Sequence, residues 1–368
     1  MDPALRAHAD ALDQLQRGLA DLVVDSLLES DPGFEGRYGE GARRIWRTEV
    51  STRLANLAEA VACGRPEMFA RHAAASAAAL RTRGVPERDV EAHLAQLEAT
   101  LGVELPEPTA TVTMPALRAG RAAVAAPAHA DAGLLDAAGN DATLARLYLL
   151  HLLQRDRDEA AAVATEALRG GLPLAEVHER VLAPALAEIG RMWQAQEASI
   201  ADEHFCTAAT RMIAAQLRAL AQPQAKRPDG RRALCAAIGG DLHDTGLRMA
   251  ADLLELDGWA TEFLGANLPP AEVVMAIEDG VRGDAKRIDL VVVSATTDLC
   301  VRPLADLVAM LRASAGARGV PILVGGGPFS SDPGLAREVG ADAGARTLKD
   351  AVAAAARLVP APGRSSAR

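Results

Sequence analysis

The stretch Gly239-Gly240-Asp241-Leu242-His243-Asp244-Thr245-Gly246 decides the fold of the second half of the chain. It lies between an apolar run at residues 233–238 and a helical pattern that begins at residue 247. This succession predicts a strand, a loop and a helix, with His243 at the carboxyl end of the strand, where α/β proteins bind ligands. Asp241 is placed to accept a hydrogen bond from one imidazole nitrogen, which leaves the other nitrogen for a metal. Gly246 lets a large group approach the backbone closely.

The same alternation of strand and helix continues to the end of the chain. Strands are predicted at residues 233–238, 259–264, 287–294 and 320–324, and each is followed by a helical segment. Residues 288–293 are nearly all apolar, which is typical of a central parallel strand covered on both faces. We therefore predict a doubly wound, Rossmann-like α/β domain over residues 233–360, and a disordered tail at residues 361–368.

The first half of the chain is predicted to be helical. Apolar residues at helical spacing, with breaks at Gly and Pro, predict an all-α domain over residues 1–103. Residues 104–141 are rich in Pro, Ala and Thr and are predicted to be a linker with one short helix near its middle. Helical segments at residues 142–155, 157–169, 173–196 and 200–221, joined by short turns, predict a four-helix bundle, and Ser199 with Asp202 resembles a capping pair that starts the last helix. Residues 222–232 are predicted to be a second linker.

Composition excludes several classes of protein. The 368 residues call for two or three domains, and the net charge of −10 argues against a general nucleic-acid-binding surface. The four cysteines are scattered without a CxxC pair, which argues against a disulfide framework or a structural zinc site. No apolar run reaches membrane-spanning length and no signal peptide is recognisable, so we expect a cytoplasmic protein that does not contact a membrane.

Two further predicted strand ends carry small residues at the same edge of the sheet. Ser294-Ala295-Thr296 follows the third strand, and Gly325-Gly326-Gly327 follows the fourth. Each piece alone has a structural alternative, because a loop histidine and a Gly-Gly turn are both common. Together, D-x-H-x-x-G, S-x-T and G-G resemble the cobalamin-binding domains of methionine synthase and corrinoid proteins.

This resemblance implies that His243 replaces the dimethylbenzimidazole base as the lower axial ligand of cobalt. It also implies that the displaced nucleotide tail is buried between the strand ends. The implied cofactor-binding residues are Asp241, Leu242, His243, Asp244, Thr245, Gly246, Ser294, Thr296, Gly325, Gly326 and Gly327.

The helical bundle carries a second pattern. Trp193 is predicted near the end of its third helix, and Glu203 and His204 near the start of its fourth. By itself this pattern fits a packing tryptophan and a solvated Glu-His pair. Trp, nine residues and Glu-His resembles the W-x9-EH signature of CarH-like cobalamin photoreceptors, in which a helical cap covers the upper face of adenosylcobalamin. Gln194 departs from that family, in which several members have a histidine that binds cobalt after illumination.

The N-terminal domain departs further from CarH-like repressors, because residues 1–103 show no MerR-type helix-turn-helix pattern. An all-α domain ahead of this cap resembles the photocobilin arrangement, which implies a globin-like fold that binds biliverdin. Basic residues in this domain suit propionate groups, although basic residues on a helix are usually a solvated face. They are Arg43, Arg44 and Arg47 beside Trp46, and Arg71 with His72.

These resemblances imply a light sensor rather than an enzyme, with adenosylcobalamin as chromophore and biliverdin as a second one. With no output domain or DNA-binding motif in view, signalling is expected through light-dependent homo-oligomerisation or an unidentified protein partner. Two alternatives stay open. One is a corrinoid protein that carries methyl groups between methyltransferases, and the other is a cobalamin-regulated antirepressor.

Overall fold

The computed structural model describes residues 1–126, 139–282 and 287–362 and divides the chain into two compact units, Met1–Ala130 and Asp131–Arg368. The predicted linker residues 127–138 and tail residues 363–368 lie outside the described residues. No helix in the described ranges is both long and apolar enough to cross a membrane.

The first unit is all-α. Its helices are α1 (Pro3–Ser30), α2 (Phe34–Tyr38), α3 (Ala42–Ala62), α4 (Pro66–Thr82), α5 (Glu87–Glu104) and α6 (Glu107–Ala125). Pro66 opens α4 at a position where its missing N–H costs nothing. Helix α1 packs along α3, and α4 packs along α6.

Helix α6 corrects the prediction of a linker that begins at residue 104. Pro108 is tolerated in its first turn, but Pro115 removes one hydrogen bond from the helix interior and disfavours the helix in isolation. Tertiary packing overrides this preference, because a Cβ atom at Gly120 would lie only 2.6 Å from the ring of Phe69 on α4. The bare backbone of α6 therefore packs directly on α4, and residues 107–125 belong to the core of the first unit.

The interior of this unit holds a buried polar group that we name the Arg53 cluster, formed by Trp46, Arg53 and His93. Arg53 is 0% exposed and donates to Glu49 Oε1 at 3.0 Å and to Ser76 Oγ at 3.2 Å. Its Nη1, Nε1 of Trp46 and both ring nitrogens of His93 have no hydrogen-bond partner among the described residues. Burial, with a smaller effect of the nearby Arg53 charge, holds the pKa of His93 well below its usual value. The imidazole is therefore neutral.

The second unit begins with the predicted helical bundle. It contains α7 (Asn140–Leu153), α8 (Arg157–Arg169), α9 (Leu174–Val177), α10 (Ala183–Gln194) and α11 (Ile200–Ala221). The helix predicted at residues 173–196 contains a π-helical turn, His178–Leu182, between α9 and α10. Ser199 and Asp202 form a capping box that starts α11, as the sequence predicts.

The bundle is followed by a parallel sheet with helices on both faces, so the predicted α/β fold is confirmed. The strands are β1 (Arg232–Ile238), β2 (Ala260–Leu268), β3 (Leu290–Ser294), β4 (Ile322–Gly325) and β5 (Ala343–Ala345) in the order β2-β1-β3-β4-β5. The longer helices are α12 (Thr245–Leu256), α13 (Pro270–Arg282), α14 (Val301–Ala313) and α17 (Leu348–Leu358). Two short helices, α15 (Gly327–Ser331) and α16 (Leu335–Glu338), precede β5.

The helical bundle and helix α12 of the α/β domain share apolar packing within the second unit. Met249 and Leu253 of α12 belong to the same buried cluster as Leu149 of α7 and Ile213 of α11. Burying each such side chain stabilises the fold by about 1.5–3 kcal/mol. Helix α12 therefore fixes the bundle above the domain that contains the predicted site.

Candidate functional site

The three predicted loops meet at one edge of the sheet. All paired strands are parallel, and the register places Ala237 of β1 beside Ser294 of β3, and Ser294 beside Gly325 of β4. Strand β1 lies between β2 and β3, which is where the direction of chain winding reverses and where doubly wound domains bind ligands. The loop from Gly239 to Thr245 leaves the sheet at this point.

Asp241 holds this loop in place. Its carboxylate is 2% exposed, and Oδ1 accepts a hydrogen bond from the His243 backbone N–H at 2.9 Å. Oδ2 accepts a hydrogen bond from the Thr296 backbone N–H at 2.7 Å, so the carboxylate joins the loops after β1 and β3. The Thr296 hydroxyl in turn donates to the His243 carbonyl at 3.3 Å. A buried carboxylate with both oxygens engaged makes the loop a fixed support.

His243 projects from this support. Its Nδ1 lies 3.3 Å from Asp241 Oδ1, and its side chain is 68% exposed. Leu242, next to it, is also largely exposed. Since Nδ1 faces the carboxylate, Nε2 is the nitrogen that is left to bind a metal, as the sequence predicts.

The strand ends beside this loop fit a large polar ligand in two respects. Ser294 Oγ is buried and has no hydrogen-bond partner among the described residues, which is a donor and acceptor that a ligand would satisfy. A Cβ atom at Gly246 would meet no atom within 4 Å, so the start of α12 borders open space. We find the residues present compatible with a bound corrinoid.

Gly326 and Gly327 have a further role that the sequence does not reveal. A Cβ atom at Gly326 would lie 2.0 Å from the Ala295 carbonyl oxygen, and one at Gly327 would lie 2.6 Å from that of Thr296. Gly326 also has a φ of 109°, which favours glycine. Close packing between the loops after β3 and β4 thus requires both glycines, whereas Gly325 has a nearest neighbour at 3.7 Å.

The bundle brings Glu203 toward the loop. Burial alone would raise the pKa of Glu203, but hydrogen bonds from His204 and Thr207 and the positive potential of His204 and His243 lower it below its usual value. The Thr207 hydroxyl donates to Glu203 Oε1 at 2.8 Å. Glu203 is therefore an ionised carboxylate within electrostatic reach of His243.

The other two bundle residues of the predicted site are exposed. The indole of Trp193 at the end of α10 is 44% exposed, which is unusual for a tryptophan that only packs. His204 is exposed and its Nδ1 bonds to Glu203 Oε2. All three predicted residues are thus accessible to a ligand beside the bundle.

Arg211 is a residue of this region that the sequence analysis missed. It lies on α11 and forms an ion pair with Asp244, and its Nε donates to the Thr245 hydroxyl at 3.1 Å. Its sequence signal is weak, because an arginine on an amphipathic helix is usually a solvated residue. Only its four-residue steps from Glu203 and Thr207 place it on the same side of α11.

Two of the basic residues predicted beside Trp46 lie on an exposed face, whereas Trp46 is buried. Arg43 and Arg47 are exposed and pair with Asp25 and Asp21 of α1, which is the solvated-face alternative. Trp46 itself points into the core and lies edge-on to His93, with ring centroids 5.0 Å apart.

Comparison with known proteins gives two family matches, both described as B12 binding domain. One covers residues 231–356 and the other residues 144–218. The HTH-type transcriptional repressor CarH of Myxococcus xanthus is 29% identical over 173 residues, which cover 46% of this chain and 53% of the repressor. The chain therefore spans about half the length of that relative.

The dimethylamine corrinoid protein 1 of Methanosarcina acetivorans is 23% identical over 209 residues, which cover 55% of this chain and 92% of that protein. Among solved structures, the monomethylamine corrinoid protein of Methanosarcina barkeri matches with a TM-score of 0.49 and 21% identity, over 60% of this chain and 100% of that one. A cobalamin-binding protein from Desulfitobacterium hafniense matches with a TM-score of 0.32 and 20% identity, over 59% of this chain and 98% of that one.

The two family matches coincide with the bundle and with the sheet that carries the Asp241 loop. The second unit of the chain is therefore a cobalamin-binding module, built from a helical cap and a Rossmann-like B12 binding domain.

Proposed function

We propose that the second unit binds adenosylcobalamin between the bundle and the α/β domain and acts as a light sensor, not as an enzyme. The observation that carries the proposal is that α11, the helix that bears Glu203 and His204, contacts the loop next to His243 through the ion pair of Arg211 with Asp244. Glu203 and Thr207 lie two turns and one turn before Arg211 on the same side of α11, and the indole at the end of α10 is exposed. A carrier of methyl groups has no need of such polar groups above the cobalt.

The residues at the carboxyl edge of the sheet each have a role in this proposal. His243 Nε2 binds cobalt from below, and Asp241 orients the imidazole through Nδ1. Ser294 binds the nucleotide tail with its unsatisfied hydroxyl, and Gly246 leaves space for the corrin edge. When bound, adenosylcobalamin supplies a cobalt–carbon bond that visible light breaks.

The bundle residues hold the adenosyl side. The exposed indole of Trp193 covers the adenine ring of the adenosyl group and excludes water from it. The ionised Glu203 accepts hydrogen bonds from sugar hydroxyls, and His204 holds the carboxylate in place. The cap contacts the adenosyl group only before illumination, because light removes that group. The position of the cap with the lowest free energy therefore differs before and after illumination, which is what a switch requires.

Selectivity and assembly test the proposal together. We expect the protein to bind adenosylcobalamin at least tenfold more tightly than methylcobalamin in the dark, and Trp193→Ala to remove most of that preference. Leu150→Ala, which changes another exposed apolar residue of the bundle, is the matched control. Sedimentation of the loaded protein before and after green illumination should show a change in self-association.

A methyl carrier is the second candidate function. The coverage of 92% of a dimethylamine corrinoid protein favours it, because the match spans nearly the whole of that relative. In that case the two cobalamins bind equally well, Trp193→Ala changes nothing, and illumination leaves the sedimentation unchanged. That set of results would replace the light sensor by the carrier.

Biliverdin is proposed as a second chromophore, bound by the first unit. Support comes from the all-α fold and from buried donors such as Arg53 Nη1, which a carboxylate or carbonyl oxygen would satisfy. When the full chain is co-expressed with a source of biliverdin, the purified protein should show a red-absorbing band. Absence of the band would exclude this chromophore.

A further inference from the structure

The loop that contains His243 is fixed from two sides. On the sheet side, Asp241 binds the backbone N–H groups of His243 and Thr296. On the bundle side, Arg211 binds the side chains of Asp244 and Thr245. The imidazole thus lies between one anchor that belongs to the sheet and another that belongs to the bundle.

The contact of Arg211 is directional. Its guanidinium donates through two nitrogens to two consecutive residues, and such a fork fixes orientation as well as distance. The Asp244 side chain is 15% exposed, and its Oδ2 lies against Gly265 of β2. Since the carboxylate is enclosed on the sheet side, loss of Arg211 would leave a largely buried charge with a strong tendency to turn toward water.

Movement of Asp244 must reach His243, because the two residues are joined by one peptide bond. Helix α11 also carries Glu203, eight residues before Arg211, whose carboxylate interacts electrostatically with His243. One helix of the cap therefore acts on the imidazole through its field and on the adjoining backbone through an ion pair. A shift of α11 changes both at once.

We propose that Arg211 is a positioning residue that makes the binding of cobalt by His243 depend on the position of the cap. With the ion pair intact, the loop holds the imidazole at the sheet edge in the geometry that binds cobalt. When α11 moves away, Asp244 follows or is released, and His243 becomes a weaker ligand. This inference rests on the proposed role of His243 beneath cobalamin.

The test compares two arginines of the same helix. Arg211→Met removes the fork but keeps a side chain of similar length. Arg218→Met is the matched control, because Arg218 lies two turns further along α11 and donates to Glu255 at the other end of α12, at 3.2 Å. Both variants weaken the contact between bundle and α/β domain, but only the first touches the loop.

Methylcobalamin in the dark is the probe, so that photochemistry plays no part. Its absorption spectrum, followed from pH 8 to pH 4, reports the fraction of cobalt bound by His243, since protonation of the imidazole competes with cobalt. We expect Arg211→Met to weaken this coordination about tenfold, which moves the midpoint up by about one pH unit. Asp244→Asn should shift it in the same direction, and Arg218→Met should leave it unchanged.

Three outcomes overturn the proposal. An unchanged midpoint in Arg211→Met shows that the ion pair does not position the ligand. Equal shifts in Arg211→Met and Arg218→Met show a general effect of cap docking. If the parent protein and His243→Ala give the same spectra at every pH, His243 is not the cobalt ligand, and the proposed site fails together with this inference.

Discussion

The Asp241 loop of the second unit and the Arg53 cluster of the first both place charge-bearing side chains in the interior, and they treat them in opposite ways. Both oxygens of Asp241 accept backbone hydrogen bonds. In the Arg53 cluster, by contrast, Arg53 Nη1 and both nitrogens of His93 have no partner among the described residues. An unsatisfied buried polar group costs about 1–3 kcal/mol, so only the first arrangement stabilises the fold by itself.

This contrast distinguishes a structural acid from a site that can hold a bound group. A buried acid whose oxygens both accept hydrogen bonds holds the backbone in place. The residue that can bind a ligand is the exposed one that it positions, here His243. A buried set of donors with no acceptor indicates either an apolar packing role or a missing acceptor. Replacing polar atoms in the two places should therefore have effects of opposite sign.

The largest effect is expected for Asp241→Ala. The change removes the buried carboxylate that accepts from the N–H groups of His243 and Thr296, and we expect the free energy of unfolding of the second unit to fall by about 3 kcal/mol. Urea denaturation measures it. The exposed Asp158 is the control, since Asp158→Ala should change stability by no more than about 0.5 kcal/mol. A loss below 1 kcal/mol for Asp241→Ala would contradict the role of this carboxylate as a support.

Acidification should have the next largest effect and involves the buried histidines. Burial lowers the pKa of His178 to about 4, against about 6.5 in the unfolded chain. The unfolded state therefore takes up a proton first. The full contribution to stability is present above about pH 6.5 and is lost as the pH falls toward 4, by about 2 kcal/mol between pH 7 and pH 5.

His178→Leu should remove that part of the pH dependence in the second unit. In the first unit, burial and the charge of Arg53 lower the pKa of His72 to about 4, and the same two causes hold the pKa of His93 well below its usual value. The first unit should therefore lose more stability on acidification than the second. Denaturation curves at the two pH values decide this, and an unchanged pH dependence in His178→Leu would refute the assignment.

A smaller effect of opposite sign is expected for His93→Phe. Phenylalanine keeps the edge-on contact with Trp46 and removes two buried nitrogens without partners. We expect the first unit to gain about 1 kcal/mol at pH 7 in thermal or urea unfolding. His204→Phe, at an exposed position of the bundle, serves as the control. A loss of stability in His93→Phe would mean that the imidazole has an acceptor in solution, such as ordered water or a bound ligand.

The smallest change in stability is expected for Gly246→Ala. The new Cβ meets no atom within 4 Å and lies in α12, so stability should rise by up to about 0.5 kcal/mol. Affinity for cobalamin, measured by equilibrium dialysis, should nevertheless fall at least tenfold if the ligand lies against this residue. Gly326→Ala gives the contrast, because its Cβ would overlap the Ala295 carbonyl and should lower the stability of the domain instead of raising it. Unchanged affinity in Gly246→Ala would place the ligand elsewhere.

Periodicity predicted the elements that are long or uniformly apolar. Residues 288–293 gave the central strand β3, and the bounds of α8 and α11 agree with the sequence prediction. Strand β5 was missed, because Ala343, Gly344 and Ala345 have low strand propensity and pair only at the edge beside β4. Helix α6 was predicted only as a short helix within a linker, because the prolines outweigh the apolar spacing of its first half until Phe69 packs on Gly120.

The residues of the site also fall into those that a local pattern predicts and those that depend on tertiary packing. Asp241, His243 and Gly246 are close in sequence, so their mutual arrangement follows from one loop. The approach of Glu203 to His243 depends on how the bundle packs on α12, and no local pattern encodes that distance. Arg211 and the Arg53 cluster were missed for a related reason, because an arginine on a helix has the same sequence pattern whether it faces water, a loop or the core.

The π-helical turn at His178–Leu182 affects the direction in which Trp193 points from the end of α10. Each residue of an α-helix advances the chain by about 100° around the helix axis, and a π-turn accommodates one residue more than an α-turn does. Deleting one residue there would restore a regular α-helix and swing the indole of Trp193 through about 100° of azimuth. One extra residue about three to four turns before Trp193 thus sets the direction in which the indole points, with no change in the length of α10 or in the composition of the site.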